Sequence, residues 1–111
     1  FGVNIGSFQA LQHRMVDMIV NTEQSRSITY LACSKVDGGA ANAAERRRVV
    51  SAAKVKIAES ARHVGQEAIQ LHGGMGMTVE LKVSHAFKRL TMIRQQFGDE
   101  DFHLARFSKA A

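Results

Sequence analysis

Apolar residues recur at steps of three and four along most of this chain, the period of an α-helix, and no segment alternates with period two for long enough to predict a strand. From Ser7 to Ser34 the apolar positions are Phe8, Leu11, Met15, Met18 and Ile19, then a more polar stretch carrying Ile28, Leu31 and Ala32. The spacing predicts one long helix with Ser7 as its N-cap. Asp37-Gly38-Gly39 supplies a stop signal, and the turn is expected to run to Ala41. A second helix opens on Asn42, with Glu45 three residues on as in a capping box. Its stripe of Val50, Ala53, Ile57, Ala61, Val64, Ala68 and Leu71 is unbroken, and the alanines suit close helix-helix approach. Gly73-Gly74 ends it.

Thr78 is expected to cap a third helix, with Glu80 in its first turn and Val83, Phe87, Leu90, then Ile93 or Arg94, marking successive turns. Phe97 extends that stripe and Gly98 ends it. Asp99-Glu100-Asp101 then places acids at the start of a short last helix holding Phe102, Ala105 and Phe107. The chain lacks proline, so none of these helices is broken from within. The predicted fold is an all-α, up-and-down helical bundle occupying residues 1-111 as one domain.

A chain of 111 residues that is 45% hydrophobic buries only a modest core, so self-association or docking on a neighbouring domain is expected. The opening Phe1-Gly2-Val3-Asn4 reads as interior sequence, which suggests a processed piece or a fragment of a longer protein. No apolar run approaches the roughly 18 residues that would span a bilayer. The single Cys33 rules out an internal disulfide, agrees with a reducing compartment, and reads as a small buried residue. A net charge of +5, densest at Arg46-Arg47-Arg48, raises nucleic-acid binding; without interleaved aromatics to stack on bases, a solvated helix face is the simpler account. The histidines, His13, His63, His72, His85 and His103, include no pair four apart, so they support no metal site and read as surface or partner-contact residues.

Gly73, Gly74 and Gly76 concentrate backbone freedom at the end of the second helix. The turn follows a helix rather than a strand and lacks the Gly-Lys-Ser/Thr of a phosphate loop, so it is neither nucleotide fingerprint. It can serve as a phosphate cradle together with the next helix N-terminus, or as a plain helix-helix corner. Met75 and Met77 can likewise pack on an aromatic ring system or fill an irregular gap.

Ala68-Ile69-Gln70-Leu71-His72-Gly73-Gly74-Met75-Gly76-Met77-Thr78, the opening Phe1-Gly2 with Phe8-Gln9-Ala10-Leu11-Gln12-His13, and Phe87-Lys88-Arg89 together resemble the C-terminal helical domain of acyl-CoA dehydrogenases. The resemblance covers nearly the whole chain, with its motifs in the family's order. It implies a FAD-dependent oxidoreductase of the bacterial cytoplasm whose terminal four-helix bundle forms the subunit interface of a homo- or hetero-oligomer. The family's bundle has a further helix before an Arg-x-x-Phe-Gly motif whose arginine contacts the FAD pyrophosphate, and this chain begins at the Phe-Gly itself. The bundle here is therefore expected to be incomplete at its N-terminal side. By the same resemblance, Phe1 and Gln9 contact the partner subunit's FAD, while Gln70 and the backbone of Gly73 and Gly74 lie on its adenosine-diphosphate side.

The family removes a Cα proton from an acyl-CoA with a carboxylate base while the Cβ hydrogen leaves as hydride to the flavin, and an electron-transfer partner can take the electrons onward. In many members that base lies in a Glu-Gly-Thr/Ser segment, and ungapped counting from the glycine turn places Phe97-Gly98-Asp99 there. Phe97 cannot abstract a proton. The base can lie upstream of this chain, or the chain can be the non-catalytic small subunit of a heteromeric dehydrogenase. Glu100 or Asp101 can substitute, although acids at a helix start are more simply dipole partners. A reading of a different class is a stand-alone helical interaction module with a basic face.

Overall fold

A computed structural model of the chain describes residues 1–38 and 42–109. Four α-helices occupy the described residues: α1 Gln9–Asp37, α2 Ala43–Leu71, α3 Lys82–Gln95 and α4 Glu100–Lys109. Short 3₁₀ turns at Ile5–Ser7 and Gly73–Met77 precede α1 and follow α2. The all-α bundle expected from the spacing is the fold observed. The stop expected at Asp37-Gly38-Gly39 begins at Gly38, while the rest of that turn, through Ala41, lies outside the described residues.

Helix α2 is the hub, packed against α1, α3 and α4. Its predicted stripe is half-buried to buried, but its most enclosed positions also include Ser51, Ala58, Ser60 and Gly65. A helix crossed on several sides needs small residues on more than one face, and serines qualify when their hydroxyls find partners. Ser60 Oγ lies 3.3 Å from Asn21 Oδ1 of α1. At Gly65 a Cβ would sit 3.0 Å from the Phe87 ring, so the missing side chain sets how closely α3 approaches.

Antiparallel register between α1 and α2 is pinned at three levels. Arg14 donates to Glu67 through Nε at 2.5 Å and through its second nitrogen at 3.0 Å, a two-pronged pair. Lys56 Nζ donates to Asn21 Oδ1 at 3.2 Å, and Lys35 pairs with Glu45 at 2.7 Å. The Arg14 hydrogen bond holds the Glu67 carboxyl below the usual carboxylate range. This support is present above the ordinary carboxylate pKa and is lost as pH falls through the lowered one.

Three expected caps are corrected. Ser7 does not cap α1: its hydroxyl donates back to the Asn4 carbonyl at 2.7 Å, and Phe8 holds the N-cap position. Thr78 does not cap α3: its hydroxyl donates to the Met75 carbonyl at 2.9 Å, and α3 starts later, after Leu81. Glu80 accordingly precedes α3, and its carboxyl is held below its ordinary value by the neighbouring Thr78 side chain and by its own backbone N–H. Asn42 does occupy the α2 N-cap position, but without a side-chain capping bond, and Glu45, the other half of the expected box, pairs with Lys35. For Ser7, Thr78 and Glu45 a competing bond to a nearby carbonyl or opposite charge takes the group.

The packed interior is small. Among the described residues the buried hydrophobic side chains are Ala53 and Ala58, while Val16, Ile19, Val20 and Leu31 of α1 are exposed. The radius of gyration is 17.0 Å with extents of 59 × 26 × 22 Å. A compact globule of this length would have about 13 Å. An open bundle with an uncovered apolar face on α1 agrees with the expectation that it docks onto something. Cys33 is exposed, contrary to the buried position expected for it. No helix among the described residues is long and apolar enough to cross a membrane.

Candidate functional site

The register of α1 and α2 decides which sequence motifs meet. Position 14 lies beside 67 and position 35 beside 45, so the start of α1 stands level with the end of α2. Gln9 is the first residue of α1, Gln70 belongs to the last turn of α2, and both are exposed. Phe1 is fully exposed and meets the Phe8 ring edge-on, centroids 6.0 Å apart. Phe1, Gln9, Gln70, Gly73 and Gly74 therefore gather at one end of the bundle, although they come from opposite halves of the chain.

The glycines of the turn differ in what they require. Gly73 has φ +59°, a left-handed conformation that costs an ordinary residue about 1–2 kcal/mol. Gly74 has no such φ, and a Cβ built on it meets nothing within 4 Å. Gly76 is buried, and a Cβ there would lie 2.4 Å from the Ile69 carbonyl oxygen, so the turn closes onto α2 only because the side chain is missing. Of the three glycines, whose freedom permits a positive φ, Gly73 alone uses it; Gly76 serves close packing. Around the turn Met75, Met77 and Val79 are exposed, so neither methionine fills a gap within the described chain. His72 is turned back onto α2, its Nδ1 2.7 Å from the Ala68 carbonyl oxygen.

A second built feature is the corner between α3 and α4. Helix α3 stops at Gln95, and Lys54 of α2 donates to the Ile93 and Gln96 carbonyls at 3.0 and 2.8 Å, closing its end. Phe97 does not continue the α3 stripe. It has φ +61° and is 94% exposed, followed by Gly98 at φ +100°. Its carbonyl accepts a hydrogen bond from His103 Nε2 at 3.0 Å, and His103 Nδ1 lies 3.3 Å from Ser51 Oγ. With Nε2–H donating, Nδ1 of the neutral ring accepts from the serine hydroxyl. His103 is 5% exposed, which corrects its expected surface position, while Phe102 of the predicted apolar stripe is exposed. A polar residue between apolar neighbours gave no sequence signal of that burial.

Two of the acids at this corner, Asp99 and Glu100, are structural. Asp99 Oδ1 accepts from the Phe102 N–H at 2.9 Å and caps α4. Glu100 accepts from Arg94 Nε at 2.7 Å. Burial pushes the Glu100 carboxyl up, but the Arg94 hydrogen bond, the residue's own N–H and the Arg94 charge outweigh it and hold it below its ordinary value. A proton-abstracting base operating near neutrality needs a shift the other way. Among the described residues, no cluster of three or more His, Cys, Asp or Glu could hold a metal ion.

Known proteins give this geometry its context. The family model described as acyl-CoA dehydrogenase, C-terminal domain, matches residues 1–111. An L-prolyl-[peptidyl-carrier protein] dehydrogenase of Serratia sp. is 40% identical over 81 residues, 73% of this chain and 20% of that protein. Acyl-CoA dehydrogenase IpdE2 of Mycolicibacterium smegmatis is 32% identical over 106 residues, 96% of this chain and 31% of that protein. The solved FAD complex of PigA superposes with a TM-score of 0.86 at 31% identity, covering 98% of this chain and 27% of that one. The chain thus spans between a fifth and a third of the length of these proteins. With its full length matched by the family model and its helices superposing on a flavoprotein's, this chain belongs to the acyl-CoA dehydrogenase family, as its C-terminal helical domain.

Proposed function

We infer that the chain acts as the C-terminal bundle of a flavin-dependent acyl-CoA dehydrogenase, an enzyme converting acyl-CoA thioesters to 2-enoyl-CoA, and supplies part of the FAD site and of the subunit interface. The observation that carries this reading is the gathering of Phe1, Gln9, Gln70, Gly73 and Gly74 at one end of the bundle, around a glycine whose Cβ position is open. The residues fit the cofactor's chemistry. An amide offers donor and acceptor to a ribose or adenine edge, and bare backbone at Gly73 and Gly74 lets a pyrophosphate approach. Bound FAD would supply the hydride acceptor, with an electron-transfer protein as its oxidant. The uncovered face of α1, with Val16, Ile19, Val20 and Leu31, supplies apolar surface for a homo- or hetero-oligomeric interface.

The chain alone is inactive on this reading, because the family's base position holds the apolar Phe97, Asp99 caps α4, Glu100 is held by Arg94, and Asp101 stands exposed in the first turn of α4, where an acid serves the helix dipole. A second reading, the non-catalytic small subunit of a heteromeric dehydrogenase, is favoured by Phe97 itself, an exposed aromatic where the base is expected. Both readings share the FAD contacts. Gln70→Ala in the assembled enzyme is expected to weaken FAD binding about tenfold, the worth of one to two lost hydrogen bonds. Equilibrium titration of the apoprotein reads it, and unchanged affinity would remove Gln70 from the site.

A further inference from the structure

At the end of the bundle away from the glycine turn, the start of α2 and the end of α4 border an open cleft of about 470 Å³ lined by Ala44, Arg47, Arg106 and Lys109. Three cations from two helices converge on it with a single small neutral residue between them. Glu45 pairs with Lys35, Asp99 and Glu100 serve the α3–α4 corner, and Asp101 lines a different pocket, with Arg62 and Arg94. None of the ion pairs among the described residues involves Arg47, Arg106 or Lys109. Arg48 lies 5.0 Å over the Phe107 ring, a cation–π contact that fastens α4 to α2 beside the cleft and fixes the spacing of its two walls.

Three like charges kept together without a counter-charge among the described residues repel one another, which an anion between them would relieve. The shape narrows the class. The volume falls within the range of small-molecule sites, and two guanidiniums facing from separate helices match the tetrahedral oxygens of a phosphate better than they match a flat acidic protein surface. We propose that this cleft binds a phosphate-bearing small molecule, a phosphate ester or pyrophosphate, through Arg47, Arg106 and Lys109. Its distance from Gly73, about 40 Å by the rise along α2, makes it a site separate from the glycine turn, and it does not depend on the flavin reading.

The test is calorimetric titration of the assembled protein with inorganic pyrophosphate, adenosine 3′,5′-bisphosphate and, separately, a glutamate-rich peptide. The expected result is one saturable site per chain for at least one phosphate probe, the tighter of the two identifying the source. The double variant Arg47→Gln/Arg106→Gln should weaken it at least about tenfold, and raising ionic strength should weaken it in parallel. Arg62→Gln, on α2 but outside the cleft, controls for loss of overall charge and should change it less than about twofold. Equal weakening by both variants overturns the site, as does binding of the acidic peptide without either phosphate probe, or no saturable binding of any probe.

Discussion

Gly76→Ala lowers the stability of this bundle by about 2–3 kcal/mol, near the upper end of overpacking penalties, because the added methyl would sit 2.4 Å from a backbone oxygen. The Ile69 carbonyl belongs to α2 and cannot swing aside as a side-chain tip could, so the turn at Gly73–Met77 must move away from the helix. In thermal denaturation this corresponds to a drop on the order of 10 °C for a domain of this size. Gly74→Ala is the matched control. It lies two residues earlier, has open space at its Cβ and no left-handed φ, and is expected to change stability by less than about 0.5 kcal/mol. Equal effects of the two substitutions would mean that the turn does not pack as described.

His103→Ala is the second large effect, expected at about 2–4 kcal/mol in urea denaturation. It removes a buried side chain, leaves the Phe97 carbonyl and Ser51 hydroxyl without their partner, and frees the corner between α3 and α4. The size of the loss follows from what His103 opposes. Phe97 at φ +61° is strained by about 1–2 kcal/mol, and its exposed ring recovers none of that by burial. Phe97→Gly is therefore expected to be neutral or to stabilise by up to about 1 kcal/mol. A strongly destabilising Phe97→Gly would show that the ring is packed against something in this chain after all.

Period-three-to-four spacing revealed the helices because their order and approximate ends follow from it alone, as in the unbroken stripe from Val50 to Leu71. Capping was less readable. Ser7 and Thr78 have the right chemistry in the right places, but each hydroxyl finds a carbonyl three residues back before it can reach the following helix. Burial of Ser51 and His103 was hidden for a related reason: a polar pair that satisfies itself can occupy an interior position, and periodicity registers only apolar residues. The glycine turn was visible as a feature, yet its sequence could not separate Gly76, required by packing, from Gly74, required by nothing inside the chain. The meeting of Gln9 with the far end of α2 depended on ion pairs such as Arg14 with Glu67, a register that one-dimensional spacing does not encode.

Gly74 is therefore the position where fold and cofactor can be separated. The most direct measurement is the FAD dissociation constant of the assembled apoprotein for Gly74→Leu, with the thermal midpoint of the same apoprotein read alongside. The account predicts an unchanged midpoint and FAD binding weakened by at least about tenfold, as a side chain enters space that the pyrophosphate needs. Wild-type FAD affinity in a normally folded Gly74→Leu protein would contradict it.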